Sequence, residues 1–291
     1  VASTIILKRR ITSIKSTRQI TKAMQLVSAS KMRRAQDYAF RSRAYRDLAY
    51  HLLQRLNAMK EVERQPLFAK RPVNARLYIV VTSNSGLAGA YNANVLKLLA
   101  QSLRQDRDDK VVSRLIMIGS KGAQFARRLS GVELLAVYTD VKDQPTANDV
   151  RPILTTLIAQ YEQEDVDEVQ LIYTMFKSNI LQEVQKFQLL PATLDAAAGK
   201  PADEAVISNF EPDVETVIEQ VTTRLVEAQL WQAVLESLAS EHSMRMISMK
   251  NATDNANDLI DDYTLEYNTA RQSAITQELA EITGGAEAMN G

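Results

Sequence analysis

Residues 1–65 and 213–283 contain neither Gly nor Pro. Each stretch is several times the length of an ordinary helix, and the two strongest helix breakers are missing where average usage would place several. Long helices follow. At about 1.5 Å per residue, a helix of roughly 55 residues runs near 80 Å and one of roughly 70 residues near 105 Å, more than a compact domain can contain. The two rods are therefore expected to pack on each other and to project from a body built by the residues between them. A projecting stalk implies mechanical or recognition work.

A heptad seam supports the pairing. Along the second stretch, positions 214, 218, 221, 225, 228, 232, 235, 239, 242, 246, 249, 253, 256, 260, 263, 267, 270 and 274 alternate steps of four and three and are mostly apolar. The first stretch has a comparable seam through Met24, Ser28, Lys31, Ala35, Tyr38, Ser42, Tyr45, Ala49, Leu52, Leu56 and Met59. A 3.5-residue repeat predicts a left-handed coiled coil, with Gln232, His242 and Thr253 as polar interruptions that fix register. The long connection between the arms permits an antiparallel pair.

Between the arms the pattern changes to short buried strands alternating with helices. Strands are predicted at 76–82, 114–119, 134–138 and 169–175, with helices at 93–105, 121–129 and 148–162. This alternation predicts a mostly parallel, Rossmann-like α/β sheet with right-handed crossovers. Residues 184–190 read as an added edge strand and 191–201 as a surface loop. The expected organisation is 1–65 as first arm, 74–195 as sheet domain and 208–285 as second arm, ending on Gly284-Gly285 as a C-cap.

Charge divides along the chain although the net charge is zero. Residues 1–50 carry twelve Lys and Arg against Asp37 and Asp47 only, whereas from Asp203 onward seventeen acids face Arg224, Arg245, Lys250 and Arg271. A basic arm alone would suggest nucleic acid or anionic lipid. An acidic arm on the same chain offers it an internal mate, and no aromatic-interleaved basic groove accompanies it, so the solvated or internally matched arm is preferred. With no Cys, thiol catalysis, disulfides and Cys-ligated metals are excluded. No apolar run approaches the eighteen or so residues of a membrane span, so membrane association is expected through partners only. The N-terminal order, apolar residues before Lys8, Arg9 and Arg10, is the reverse of a secretory signal.

Catalytic constellations are not apparent. Residues 83–92, SNSGLAGAYN, lie at a strand-to-helix turn where nucleotides bind in such sheets, yet the GxGxxG fingerprint is incomplete and no GxxxxGK[ST] follows a strand. Gly119-Ser120-Lys121-Gly122 has suitable residue types in the wrong order. His51 and His242 lie inside long helices without partners at metal-ligand spacing, and Asp254, Asp258, Asp261 and Asp262 lack EF-hand spacing. No cofactor or metal is expected. Methionines on the arms (Met24, Met32, Met244, Met246, Met249) with basic neighbours (Lys22, Lys31, Arg33, Arg34, Arg245, Lys250) suggest deformable surface beside cations that would suit an acidic loop on a surrounding protein.

Four segments carry a resemblance: ITSIKSTRQITKAMQLVSASKMRRAQ at 11–36, TSNSGLAGAYN at 82–92, LASEHSMRMISMKNATDNA at 238–256 and YNTARQSAITQELAEITGGA at 267–286. In this order the chain resembles the gamma subunit of F-type ATP synthases along essentially its full length. The resemblance implies a non-catalytic rotor: paired helices forming a shaft inside the alpha3beta3 hexamer of alpha and beta subunits, and a sheet domain standing on the membrane c ring beside the epsilon subunit. It implies that Met24, Lys31, Arg33, Arg245 and Lys250 face a beta-subunit lever. Arg271, Gln272, Thr276 and Glu278 would meet beta catch loops, and Phe210 and Glu211 would lie by the c ring. It also implies a peripheral place, on the cytoplasmic face of a bacterial plasma membrane or the matrix side of an organellar one. Asn84, Ser85 and Ala88 stand where family members often carry charged residues and Cys, so thiol control is not expected. The alternative from residues alone is a basic coiled-coil nucleic-acid-binding or scaffold protein.

Overall fold

The computed structural model describes residues 4–56, 65–192 and 214–290, with side chains described over 4–42, 65–192 and 216–286. Two long helices open and close the chain, α1 (Thr4–Leu56) and α5 (Val214–Asn290). Between them run β1 (Ala75–Val81), α2 (Tyr91–Asp108), β2 (Val112–Ile118), α3 (Ser120–Ala126), β3 (Glu133–Tyr138), α4 (Ala147–Glu162), β4 (Glu168–Phe176) and β5 (Gln182–Leu190). Every strand and helix expected from the alternation is present. The chain forms two units, a helical unit of Val1–Ser28 with Met246–Gly291, and a sheet unit of Ala29–Arg245.

In the sheet unit the strand order is β3-β2-β1-β4-β5, with β5 antiparallel to β4 and every other pair parallel. β1 is buried almost throughout because its run ARLYIVV is covered on both faces, as central parallel strands are. Alternate residues divide between two cores. Leu77, Ile79 and Val81 pack with Ile153 and Leu157 of α4 and with Val226 and Leu230 of α5. Tyr78 and Val80 face the other way, against Val95 and Leu99 of α2 and Ala126 of α3. α2 shows why it is amphipathic: Tyr91, Val95, Leu99 and Leu103 recur at four-residue spacing and are buried. Asp106 continues that stripe and is fully buried, accepting from Tyr78 Oη at 2.8 Å and Ser113 Oγ at 2.9 Å while paired with Arg76. α4 starts at a capping box in which Asp149 accepts from the Thr146 amide at 2.8 Å.

In the helical unit the two helices are antiparallel. Thr21 and Thr253 share a buried hydroxyl hydrogen bond of 2.8 Å, Arg18 donates to Asn257 Oδ1 at 3.2 Å, and the Arg10 guanidinium lies 5.7 Å from the Tyr263 ring centre. The seam read on the second arm is the buried face: Met249, Thr253, Ala256, Ile260 and Ala270 are all under a tenth exposed. On α1 the buried face reaches back to Leu7, further than the seam traced from Met24.

One expectation is corrected here. Gly284 and Gly285 do not end α5, which continues to Asn290. A glycine cap requires a left-handed φ, and the positive-φ glycines among the described residues are Gly89, Gly119 and Gly131. Of the two alternatives for the charged arms, the acids of this unit follow the solvated one: Asp254, Asp258, Asp261 and Asp262 are exposed, and among the described residues the helices meet through hydroxyls, an amide and a ring. The expected loop at 191–201 lies outside the described residues beyond Ala192.

Glycine placement gives a discriminating prediction. Gly119 holds φ 96° and a Cβ there would stand 2.2 Å from the Thr82 carbonyl oxygen, whereas a Cβ on Gly86 meets nothing within 4 Å. Gly119→Ala should therefore cost about 3 kcal/mol or more of unfolding free energy, from strain and overpacking together, while Gly86→Ala should stay within about 0.5 kcal/mol of the parent. Urea unfolding of both variants checks this.

Candidate functional site

α5 occupies the crevice where an open parallel sheet would take a ligand. The strand order reverses between β1 and β4, so the crevice lies beyond their carboxyl ends. Val234, Leu238 and Glu241 of α5 fill it against Val81, Thr82 and Tyr91, leaving a cavity of about 20 Å³. That volume holds one water and no nucleotide. Gly119 and Gly122 matter here for a packing reason, since Gly122 donates its amide to Thr82 Oγ1 at 2.9 Å and neither position has room for a Cβ.

The glycine loop at 83–90 is bound by a cation through its carbonyl groups. Arg245 Nη2 donates to Ser85 Oγ at 2.9 Å and to the Ser85 and Gly86 carbonyls at 3.2 Å, and its Nε donates to Gly86 at 3.2 Å. A phosphate cradle would present amides instead. Arg245 also pairs with Glu241 one turn earlier at 2.7 Å, and both side chains are about nine-tenths buried. Burial pushes the Glu241 carboxyl above the usual range, with Arg245 opposing. The neighbouring His242 is buried as well. Its Nδ1 accepts from Arg245 Nη1 at 3.3 Å, and burial, reinforced by the charges of Arg245, Lys31 and Arg34 and opposed by Asp143, holds the imidazole down at about 4.

Of the residues assigned to a beta-subunit lever, the structure thus turns Arg245 inward. Lys31 reaches Asp143 of the β3–α4 loop at 2.7 Å, Met24 is half-buried in the α1–α5 seam, and Arg33 and Lys250 are exposed. The catch residues lie together on the last part of α5. Ala270 is the last buried residue of the helix among those described; in the antiparallel register it stands opposite Thr4, where α1 begins. From Arg271 to Ala286 every side chain is exposed, including Arg271, Gln272, Thr276 and Glu278. Beside them Ile275, Leu279 and Ile282 are 48, 59 and 69% exposed. Phe210 and Glu211 lie outside the described residues.

Sequence reading missed the serines of α5. Ser237, Ser240 and Ser243 are fully buried at three-residue spacing, and each bonds β4 or the β4–β5 turn. Their signal was a repeat of small polar residues on a stripe that is otherwise apolar. Trp231, whose indole N–H donates to the Pro145 carbonyl at 2.8 Å, was equally unremarked.

A family model described as ATP synthase matches residues 3–289. The ATP synthase gamma chain of Psychrobacter arcticus is 39% identical over 288 residues, covering 98% of each chain. That of Moorella thermoacetica is 40% identical over 283 residues, covering 97% of this chain and 98% of its own. In fold, a chain of the Euglena gracilis mitochondrial ATP synthase OSCP/F1/c-ring structure matches with a TM-score of 0.68 at 20% identity, over 99% of this chain and 94% of that one. A chain of the Tetrahymena thermophila mitochondrial ATP synthase central stalk and c-ring structure matches with a TM-score of 0.62 at 22% identity, over 80% and 99%.

The buried imidazole gives a pH prediction. The unfolded chain protonates His242 near 6.5 and the folded chain near 4, so the unfolded state binds more protons in that window and acidification through it destabilises the fold. Glu241 acts in the opposite sense, since its raised carboxyl holds a proton more tightly when folded and its contribution falls as pH rises above 4.5. His242→Gln isolates the histidine. The parent's stability relative to this variant should drop by about 2 kcal/mol between pH 7 and pH 4.5, measured by urea unfolding at each pH.

Proposed function

The chain belongs to the ATP synthase gamma family, and from that premise we infer that it is the central rotor stalk, coupling ion-driven turning of a membrane ring to ATP synthesis and hydrolysis carried out on neighbouring subunits. The observation that carries this beyond family membership is the last part of α5, where polar and apolar side chains face outward with no partner helix beside them among the described residues. A surface of that kind fits a sleeve supplied by other chains. Whole-length relatives at about two-fifths identity support the same role.

The finer assignments are these. The helical unit works inside a hexamer of alpha and beta subunits, and the sheet unit stands on the c ring with the epsilon subunit. Met24, Lys31, Arg33 and Lys250 face a beta-subunit lever. Arg271, Gln272, Thr276 and Glu278 meet the beta catch loops, and Phe210 and Glu211 the ring. Arg245, which the resemblance assigns to the same lever, fixes the glycine loop. The chain itself makes and breaks no bond, in keeping with a crevice filled by its own helix. Among the described residues no helix is long and apolar enough to cross a membrane, and attachment through the ring would place the chain on the cytoplasmic face of a bacterial plasma membrane.

Coupling would follow from asymmetry. α1 keeps Arg9, Lys15, Lys22 and Arg33 exposed, while α5 exposes Asp254, Asp258, Asp261 and Asp262. Each rotor angle then presents a different charge pattern to each beta subunit, and differential contact is what shifts a conformational equilibrium.

Reconstitution with cognate alpha and beta subunits tests the proposal. Asp108 is exposed at the end of α2, and the chain has no Cys, so Asp108→Cys provides a single attachment point for a rotation probe. ATP-driven rotation with three pauses per turn is expected, and truncation after Arg271 should lower the torque several-fold. A chain that neither joins the hexamer nor turns would exclude the rotor and leave salt-dependent nucleic-acid binding as the next measurement.

A further inference from the structure

Where α5 crosses the sheet unit, directional contacts hold it around most of its circumference. Three serines carry the first set. The recorded β1–β4 pairing ends at Ile172, and two residues later the Thr174 amide donates to Ser237 Oγ at 3.0 Å while its carbonyl accepts from Ser240 Oγ at 3.2 Å. Ser243 donates to the Asn179 carbonyl at 2.7 Å and accepts from Gln182 Nε2 at 3.2 Å. On another side, Arg245 holds the glycine loop and Trp231 the Pro145 carbonyl.

The angular positions of these contacts follow from the helix itself. At about 100° per residue, with Ser237 as zero, Ser240 and Ser243 stand near −60° and −120°, and Arg245 and Trp231 near +80° and +120°. Polar contacts therefore span about 240° of the helix. The remaining sector holds Ala228, Leu235, Ala239 and His242, the seam, where Ala239 meets Ala35 of α1. Apolar packing resists separation but is non-directional. Hydrogen bonds are lost on small misalignments. A turn of about 20° would move a hydroxyl lying roughly 4 Å from the axis by more than 1 Å, enough to break each of these bonds.

We propose that Ser240 and Ser243, with Ser237 and Arg245, are the torque key of the rotor: the contacts through which twisting force on the sheet unit enters α5. This rests on the rotor function above. Alanine would be a better helix former than serine at each of the three positions and no larger, so neither helix propensity nor space calls for the hydroxyls. Ser237 has an additional duty, satisfying a buried strand amide. Ser240 and Ser243 donate only to carbonyls, and Gln182 Nε2 retains the Ser178 and Asn179 carbonyls without Ser243.

The test uses the reconstituted complex with the probe on Asp108→Cys. The double variant Ser240→Ala/Ser243→Ala is compared with Val226→Ala, which thins the apolar packing of the same helix. The readouts are the angular fluctuation of the probe while the shaft is held at a catalytic pause, and thermal melting of the free chain. The serine variant is expected to widen the fluctuation at least two-fold, and Val226→Ala to lower the melting temperature at least as much without widening it. Equal widening by both variants, or none by the serine pair, overturns the key and assigns torque transfer to packing. Should the pair fail to assemble, Ser243→Ala alone is read in the same way. A parent complex that does not rotate would instead refute the rotor function, so the two failures are distinguishable.

Discussion

Between residues 226 and 245, α5 meets sheet, loops or α1 on nearly every side, so each polar side chain on it has to find its partner inside the protein. A buried polar group left unpaired costs about 1–3 kcal/mol, and a buried charge more. Glu227 is 3% exposed and is held by Arg151 at 3.0 Å and Arg224 at 2.6 Å. Glu241 is held by Arg245, and the serines by β4 and the turn after it. These partners come mainly from the carboxyl ends of the strands and the loops that follow them. The demand of one buried helix thus sets where the glycine loop, the β3–α4 loop and the β4–β5 turn must lie.

That arrangement also fills the crevice in which such a sheet would otherwise hold a ligand. In an open parallel sheet the reversal in strand order leaves a crevice for a ligand. Here the crevice receives Val234, Leu238 and Glu241, and the loop that would face a phosphate turns its carbonyls to Arg245. The opposite end of the sheet is fastened by charge, with Arg76 between Asp106 and Glu168, and Arg114 between Glu133 and Asp165. Both ends of the sheet are committed to structure, which suits a domain that passes force along.

Most of this architecture was legible before any coordinates. Strand positions came from apolar runs bounded by turns, because a parallel strand is buried on both faces and needs such a run. The seam at 249, 253, 256 and 260 was legible because a 3.5-residue period is local to one helix. What stayed hidden depends on a second element. Asp106 sits on an apolar stripe and looks out of place until Tyr78, Ser113 and Arg76 converge on it. Arg245 looked like one more surface cation, since its burial depends on a loop 160 residues earlier in the chain. The helix continuing through Gly284-Gly285 was missed because glycine permits a left-handed cap without requiring one.

The two parts of α5 divide the labour according to the kind of contact each uses. Directional hydrogen bonds hold residues 231–245, where a slip against the sheet would waste rotation. Past Ala270 the helix presents Ile275, Leu279 and Ile282 to its surroundings on a stripe flanked by polar groups. A lone helix of this length is marginal in water, but here it grows from a paired segment that has already met the cost of nucleation. Among the described residues nothing covers its apolar stripe, and on the rotor proposal other chains supply the cover. An apolar cover has no preferred angle, so it steadies the helix while letting it turn. On the rotor proposal, the polar side chains Arg271, Gln272, Thr276 and Glu278 then act as angular marks beside that apolar stripe. Rotation requires both kinds of contact, and the chain keeps them apart on one helix.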